Sequence, residues 1–247
     1  MVFVPKKNAL DTLQKREAKA EETGKMTEEQ LAKQNAKGSE SDDTICTADL
    51  TDDEILEGLN LLLIGDSIAV DVTDDFYEMF PNSVSDTKIG RITSLGKQVL
   101  DSYIDEKKWE GEGVIFASLS NSPINGELED IREKIGKDMP LFLTTVRIPH
   151  DTFEDESNSK IKKFVEENDH TYLIDWYAAS EGHDEYFDAD DTHLLSAGAK
   201  AYAKCIKEAI LDAYKKENIE IPKSRLSSGA DTSTDSSNDS STDTSTE

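Results

Sequence analysis

Basic residues are scarce in this chain, and acidic ones are abundant. Its 247 residues include 53 aspartates and glutamates against 27 lysines and arginines, a formal net charge of −26. Such a surface repels phosphate backbones and anionic headgroups, so the composition argues against nucleic acid or an anionic membrane surface as a partner. Long hydrophobic runs are missing too, since apolar stretches such as 61–64 are far too short to span a bilayer.

Cysteine is nearly absent, with Cys46 and Cys205 as the two in the chain. They could form one disulfide, or Cys205 could be a small buried side chain in a helical stripe, and the residues leave both open. The missing Cys-x-x-Cys spacing excludes a cysteine-based zinc site. The acidic run over 184–191 lacks the glycine and terminal glutamate of a calcium loop, so no metal and no cofactor are expected.

Composition divides the chain into three parts. Residues 1–48 are rich in Ala, Gln, Glu and Lys with few apolar positions, which predicts a charged, solvated linker. Residues 227–247 consist almost entirely of Ser, Thr, Asp, Asn and Glu, which predicts a disordered tail. The segment 49–226 between them carries the core-forming residues and is the expected catalytic domain.

The middle segment alternates two hydrophobic periodicities. Short apolar runs of strand length recur, with helical patterns between them and a long helical stripe over 196–216. Continuous apolar strands that alternate with helices indicate a parallel sheet covered on both faces. The fold class is therefore α/β, doubly wound, with about five strands: 59–64, 113–119, 141–148, 171–176 and, more weakly, 83–89. In such sheets, ligands bind at the carboxyl ends of the strands.

Ser67 follows the first of these strands in the sequence Gly65-Asp66-Ser67, directly before a helical pattern. A serine at this turn could be a nucleophile, because its own N–H and the helix dipole could stabilise an oxyanion. It could equally belong to an ordinary helix cap, for which Ser and Asp are the commonest residues. Position alone does not decide between the two readings.

A serine nucleophile needs a base within hydrogen-bond reach, and the chain has four histidines. His193 lies in a polar loop after the last strand, and Asp190 three residues earlier could orient its imidazole. Glu167 stands at the same spacing from His170. Because that second pair falls on a predicted helical surface, a solvated charge pair is its simpler explanation.

Four short segments, in order along the chain, resemble the blocks of the SGNH (GDSL-like) hydrolase superfamily. They are Gly65-Asp66-Ser67, the stretch 86–91 with Gly90, Ser120-Asn121, and Asp190-x-x-His193. The resemblance extends over about residues 58–215. It implies a flavodoxin-like three-layer α/β/α sandwich in which Ser67, His193 and Asp190 are catalytic.

The same resemblance assigns two further residues to the oxyanion hole. The backbone N–H of Gly90 and the side-chain amide of Asn121 would contact the substrate oxygen. One departure lies beside Asn121, because Leu119 occupies the position where that block normally has glycine. From the residues alone, Gly90 could be a plain turn residue and Asn121 a loop asparagine bonded to its own backbone.

Several further passages are similar to a narrower group, the extracytoplasmic SGNH domains of bacterial peptidoglycan O-acetyltransferases. They are 145–149, 160–164, 173–177 and 190–198. This resemblance implies transfer of an acetyl group through acetyl-Ser67 to the 6-hydroxyl of N-acetylmuramic acid in the peptidoglycan glycan strand. It also implies an extracytoplasmic location at a bacterial cell surface, with a membrane acyltransferase domain outside this chain as acetyl source.

Two other functions remain compatible with the residues. An SGNH carbohydrate esterase differs from a transferase only in the second nucleophile, which is water rather than a sugar hydroxyl. A non-catalytic surface binding module could keep the same scaffold. Hydrolysis of an activated acetyl ester separates the enzyme from the binding module, and acetylation of a glycan acceptor separates transferase from esterase.

Overall fold

The structure, a computed structural model, describes residues 7–36 and 43–226. Within these ranges the strands are β1 (Thr44–Cys46), β2 (Leu61–Gly65), β3 (Val84–Thr87), β4 (Gly113–Ala117), β5 (Leu141–Thr144), β6 (Thr171–Ile174) and β7 (Glu220–Pro222). The helices are α1 (Lys7–Ala36), α2 (Asp52–Gly58), α3 (Ser67–Met79), α4 (Thr93–Asp105), α5 (Glu127–Ile135), α6 (Glu154–Glu167), α7 (Trp176–Ala179) and α8 (Ser196–Glu217). The predicted tail, 227–247, lies outside the described residues.

A parallel sheet in the order β3-β2-β4-β5-β6 forms the centre of the described part. Along β2, Leu61 and Leu63 pack into one apolar layer and Leu62 and Ile64 into the other. Successive side chains of a strand point to opposite faces, so a strand covered on both sides must be apolar throughout. The predicted α/β three-layer sandwich with about five parallel strands is confirmed.

The helices divide between the two faces of this sheet. Residues of α2, α3 and α8 pack in one apolar layer, and residues of α4, α5 and α6 pack in the other. The expected stripe of the last helix is present in α8, where Tyr202, Ile206, Ile210 and Tyr214 are buried. The long apolar run over 141–148 becomes a shorter strand, because β5 ends at Thr144 and Val146 and Ile148 are buried in the loop that follows.

The segment 1–48, expected to be a solvated linker, is structured over the part that is described. Helix α1 packs along β3, the edge strand of the sheet. Thr23 and Thr27 are buried there, and the Thr27 hydroxyl lies 2.5 Å from the carbonyl oxygen of Ser85. The helix therefore covers polar backbone groups of an edge strand, a contact that needs no apolar stripe.

The chain after α1 is also tied to the domain. Strand β1 pairs antiparallel with β7, and the hydroxyl of Thr47 donates to the carbonyl oxygen of Tyr214 at 2.8 Å. Cys46 in β1 and Cys205 in α8 are both free thiols, so the open question of a disulfide is answered by two separate cysteines. Burial raises the pKa of the Cys205 thiol. None of the described helices is both long and apolar enough to cross a bilayer.

Replacing Thr27 by valine tests whether α1 is part of the folded domain. The change removes the shorter of two hydrogen bonds to the buried Ser85 carbonyl of β3 and leaves the one from the Tyr77 hydroxyl at 3.5 Å, so we expect the free energy of unfolding to fall by about 0.5–1.5 kcal/mol. Urea denaturation measures this difference. Glu29→Gln, at an exposed position of the same helix, is the control; equal stability of both variants and the parent would mean that α1 does not contribute to the fold.

Candidate active site

The turn between β2 and α3 positions Ser67. Asp66 caps α3 by accepting a hydrogen bond from the backbone N–H of Ile68 at 3.0 Å, and Ser67 is the first residue of the helix. The turn is tight enough that a Cβ at Gly65 would lie 2.2 Å from the Cβ of Ala69. Glycine is therefore required at position 65, and the cap of the motif is Asp66, which leaves the Ser67 hydroxyl free of that role.

The buried carboxylate of Asp66 joins this turn to the loop after β4. Its Oδ2 accepts hydrogen bonds from the backbone N–H of Ser120, at 3.1 Å, and from the Ser120 hydroxyl. Complete burial raises the pKa of Asp66, against the opposing effect of these hydrogen bonds and that from Ile68. The carboxylate thus fixes Ser67 relative to the segment that carries Asn121.

Ser67, His193 and Asp190 form a continuous hydrogen-bonded series. The Nε2 of His193 lies 3.0 Å from the Oγ of Ser67, although the two residues are 126 positions apart. The Nδ1 of His193 lies 2.7 Å from the Oδ2 of Asp190. These distances are those of a nucleophile, its general base and the group that orients the base.

The Asp190 carboxylate is held in place by backbone groups of its own loop, the one that carries His193. Its Oδ1 accepts hydrogen bonds from the backbone N–H groups of Thr192, at 3.1 Å, and His193, at 2.9 Å. Burial works to raise the pKa of Asp190, but the hydrogen bonds from the His193 backbone and ring and from Thr192 outweigh it and lower the pKa. The carboxylate therefore stays ionised and can stabilise a protonated imidazole.

Each of the four histidines approaches a carboxylate, so that pairing alone does not identify the catalytic one. The other pairs are His150–Asp191 at 3.1 Å, His170–Glu217 at 2.8 Å and His183–Glu185 at 2.8 Å. The sequence spacing suggested Glu167 for His170, but Glu167 pairs with Lys163 instead. Among the described histidines, His193 is the one whose ring bonds to a serine hydroxyl.

Gly90 and Asn121 lie in the loops beside the nucleophile turn, after the strands that flank β2. Gly90 has a φ of +68°, which favours glycine, and a Cβ there would meet open space. The backbone N–H of Lys88 donates to the carbonyl oxygen of Gly65 at 3.2 Å and so ties this loop to the turn. Asn121 is exposed and directly follows Ser120. Their oxyanion-hole roles remain predictions.

Sequence reasoning missed three charged residues that hold the histidine loop. Arg16 of α1 lies 3.6 Å from Asp71 of α3 and 3.7 Å from Asp188. Asp71 accepts a hydrogen bond from the backbone N–H of Leu194 at 3.1 Å, and the Asp188 N–H donates to the carbonyl oxygen of His193 at 2.8 Å. Arg16 therefore connects the nucleophile helix to the base loop.

No signal in the sequence indicated this connection, because the three residues are far apart along the chain and lie in no shared motif. Burial raises the pKa of Asp71, and the Arg16 guanidinium is the strongest opposing influence. In the described part of the chain, no group of three or more His, Cys, Asp or Glu side chains could hold a metal ion.

The five-stranded fold and the hydrogen-bonded series Ser67–His193–Asp190 agree with what the resemblance to the SGNH hydrolases implied. No protein-family profile matches the chain. In sequence, the chain is 34% identical over 146 residues to the O-acetyltransferase OatA of Staphylococcus aureus. The match covers 59% of this chain and 24% of OatA, so the chain corresponds to about a quarter of that relative's length.

Solved structures show the same fold. The C-terminal catalytic domain of the Streptococcus pneumoniae peptidoglycan O-acetyltransferase OatA, solved with a methylsulfonyl adduct, superposes with a TM-score of 0.59 at 20% identity, covering 67% of this chain and 99% of that one. A GDSL-like lipase from Bacteroides thetaiotaomicron has a TM-score of 0.52 at 17% identity, covering 67% and 94%. The chain thus has the SGNH hydrolase fold and resembles OatA in sequence.

Asp190→Asn tests the orienting carboxylate. An amide can hold the imidazole in the wrong tautomer and cannot stabilise its charge, so we expect kcat on an activated acetyl ester to fall by about 10²–10⁴-fold. Because the lowered pKa keeps Asp190 ionised, the loss should persist across the neutral range. Asp191→Asn, which alters only the exposed pair with His150, is the control; equal rates for the two variants would contradict the assignment.

Arg16→Ala tests the link between α1 and the histidine loop. It removes the guanidinium that lies between Asp71 and Asp188, so these two carboxylates no longer tie α3 to the histidine loop. We therefore expect the rate on an activated acetyl ester to fall about tenfold as the loop loosens.

Two variants serve as references for that experiment. Arg16→Lys keeps the positive charge and should restore most of the rate. Lys25→Ala removes a positive charge from the same helix where it pairs with exposed Glu21, and it should behave like the parent. A rate for Arg16→Ala equal to the parent's would refute the positioning role.

Proposed function

We propose that this domain is a serine-dependent O-acetyltransferase that acetylates the 6-hydroxyl of N-acetylmuramic acid in peptidoglycan. The observation that carries the proposal is the hydrogen-bonded series from Ser67 through His193 to Asp190. The choice of reaction and acceptor is supported by the sequence similarity to OatA, and the pneumococcal domain of the same fold is named a peptidoglycan O-acetyltransferase.

The first half-reaction forms an acetyl-enzyme. The Nε2 of His193 removes the proton of Ser67 as its oxygen attacks the acetyl carbonyl carbon of an ester donor. Asp190 holds the Nδ1–H tautomer and stabilises the imidazolium that results. Collapse of the tetrahedral intermediate breaks the ester C–O bond, and His193 returns the proton to the leaving oxygen, so that acetyl-Ser67 and the free alcohol remain.

The tetrahedral oxygen carries a negative charge that must be stabilised. The N–H of Ser67 belongs to the first turn of α3, where the orphan amides and the helix dipole favour an anion. In this proposal, the N–H of Gly90 and the side chain of Asn121 are the second and third donors. One such donor is worth about 10²–10³-fold in turnover.

The second half-reaction decides between transfer and hydrolysis. A sugar hydroxyl, deprotonated by His193, attacks the acetyl carbon of acetyl-Ser67. The bond from that carbon to the Ser67 oxygen then breaks, His193 returns the proton to this oxygen, and the acetylated glycan is released. Water in the same place gives acetate, which is the reaction of a carbohydrate esterase. This second function is favoured by one observation: the side chains of His193 and Asp190 are 24% and 48% exposed, so water can reach the base.

The proposal extends to where the domain works. A peptidoglycan acceptor lies outside the cytoplasmic membrane, so the domain would act at the bacterial cell surface. Its acetyl groups would come from a membrane acyltransferase domain outside this chain. The support for both statements is the resemblance to peptidoglycan O-acetyltransferases, and the chain matches about a quarter of the length of OatA.

Ser67→Ala is the direct test. With an activated acetyl ester and a muramic-acid-containing oligosaccharide, the parent should form an acetyl-protein adduct and then acetylated sugar, both measurable by mass spectrometry. The variant should lose the adduct and at least about a thousandfold of the rate while keeping its fold. Ser159→Ala, at an exposed position of α6, is the matched control.

The outcomes of this experiment separate the candidate functions. An adduct without acetylated sugar would identify the esterase. If the parent neither hydrolyses the activated acetyl ester nor forms the adduct, the remaining candidate is a non-catalytic binding module on the same scaffold. Equal labelling of the parent and Ser67→Ala would overturn the proposed chemistry itself.

A further inference from the structure

A groove of about 730 Å³ runs between α1 and α4 and ends at the Gly90 loop. Glu28 and Leu31 of α1 line one wall, and Leu95 and Gln98 of α4 line the other. Its volume lies in the range of small-molecule binding sites. The groove exists because α1 packs against β3, so it depends on the segment that the sequence predicted to be a linker.

The groove leads to the catalytic edge of the sheet. Gly90 lines it, and Gly90 is also the proposed oxyanion donor. Lys88, another lining residue, donates its backbone N–H to Gly65 at 3.2 Å, two residues before the nucleophile. A ligand that fills the groove therefore reaches Gly90, the residue that would donate its N–H to the acyl oxygen on Ser67.

The floor of the groove is a fixed polar network. The guanidinium of Arg91, which is 5% exposed, donates to the carbonyl oxygens of Gly65 at 3.0 Å and Asp86 at 2.6 Å, and to the Asp86 carboxylate at 2.5 Å. The Tyr103 hydroxyl donates to the other carboxylate oxygen at 3.0 Å. Burial beside Asp86 raises the pKa of Tyr103, so its proton stays in place. These groups satisfy one another and shape the groove before any ligand binds.

The walls present a mixture of apolar and polar groups. The Leu95 side chain is 47% exposed in the groove, and Leu31 and Val99 add further alkyl surface. Gln98 is exposed and offers an amide donor and acceptor. A sugar ring has the matching character, since its C–H faces are apolar and its rim carries hydroxyl and acetamido groups.

Lys88 is a cation in the lining of the groove, next to the Gly90 loop. It is exposed, and in the described part of the chain it forms no ion pair within 4.0 Å. Of the carboxylates that line the groove, Asp86 is paired with Arg91 and Glu28 lies on the opposite wall, so Lys88 can attract an anion at the Gly90 end. Muramic acid differs from glucosamine by a lactyl group, whose carboxyl is free or carries an acidic peptide.

We propose that the groove between α1 and α4 binds the acceptor glycan, with sugar rings against Leu31 and Leu95 and an anionic muramoyl substituent at Lys88. This inference rests on the proposed function and adds to it the place and the chemical class of the acceptor. It also assigns a role in substrate recognition to α1.

The test compares transfer with hydrolysis in two groove variants, Lys88→Glu and Gln98→Ala. Each protein receives an activated acetyl ester and a tetrasaccharide of alternating N-acetylglucosamine and N-acetylmuramic acid. The ratio of acetylated sugar to released acetate should fall at least about fivefold for Lys88→Glu, with a higher KM for the tetrasaccharide. A chitotetraose acceptor, which lacks the lactyl carboxyl, should lose the dependence on Lys88.

Lys163→Glu is the matched charge reversal, because Lys163 lines a different groove between α5 and α6. It should keep the ratio of the parent. An unchanged ratio and KM in both groove variants, with a parent that transfers acetyl groups, would overturn the groove assignment and leave the proposed function intact.

A direct binding measurement separates a failure of the proposed acetyltransferase function from a failure of the groove assignment. The Ser67→Ala protein titrated with the same tetrasaccharide should bind it, and addition of Lys88→Glu should weaken that binding by a similar factor. Binding that depends on Lys88 in a protein whose parent never transfers acetyl groups would overturn the proposed function and keep the groove. No binding, or binding indifferent to Lys88, would overturn the groove.

Discussion

The hydrogen bond between Ser67 and His193, 3.0 Å long, is the contact on which the chemistry depends. Its two residues lie near opposite ends of the domain's sequence. They meet because α8, which follows the loop of His193, packs against α3 on one face of the sheet. The Asp71 carboxylate of α3 also holds the histidine loop in position, because it accepts a hydrogen bond from the backbone N–H of Leu194. A hydroxyl and an imidazole can react only when such supports hold them within hydrogen-bond distance.

Three carboxylates near the candidate site differ in burial, in their partners and in the direction of their pKa shift. Asp66 is fully buried and joins two loops, Asp71 is mostly buried and faces Arg16, and Asp190 is half exposed and orients the base. Burial raises the pKa of the first two, and hydrogen bonds lower that of Asp190. The group that must stay charged near an imidazolium is thus the one whose hydrogen bonds outweigh the cost of its burial.

Helix α1 connects the site to its surroundings at two points. Near Arg16 it contacts the nucleophile helix and the histidine loop, and near Thr27 it covers the edge of β3. The same placement creates the groove beside the Gly90 loop. A helix held by ion pairs and by bonds to edge-strand carbonyls thereby contributes to stability, to positioning and, in our proposal, to acceptor binding.

The sequence by itself determined the sheet, since strands such as 61–64 that are apolar at every position can only be buried on both faces. It also predicted Ser67, Asp190 and His193 as the catalytic residues, through the resemblance of short local segments to the SGNH blocks, since position and spacing alone left other readings open. Tertiary structure alone decided that Arg16 meets Asp71 and that His170 pairs with Glu217. Such polar contacts join distant residues with no periodicity, so their partners are defined only once the chain is folded.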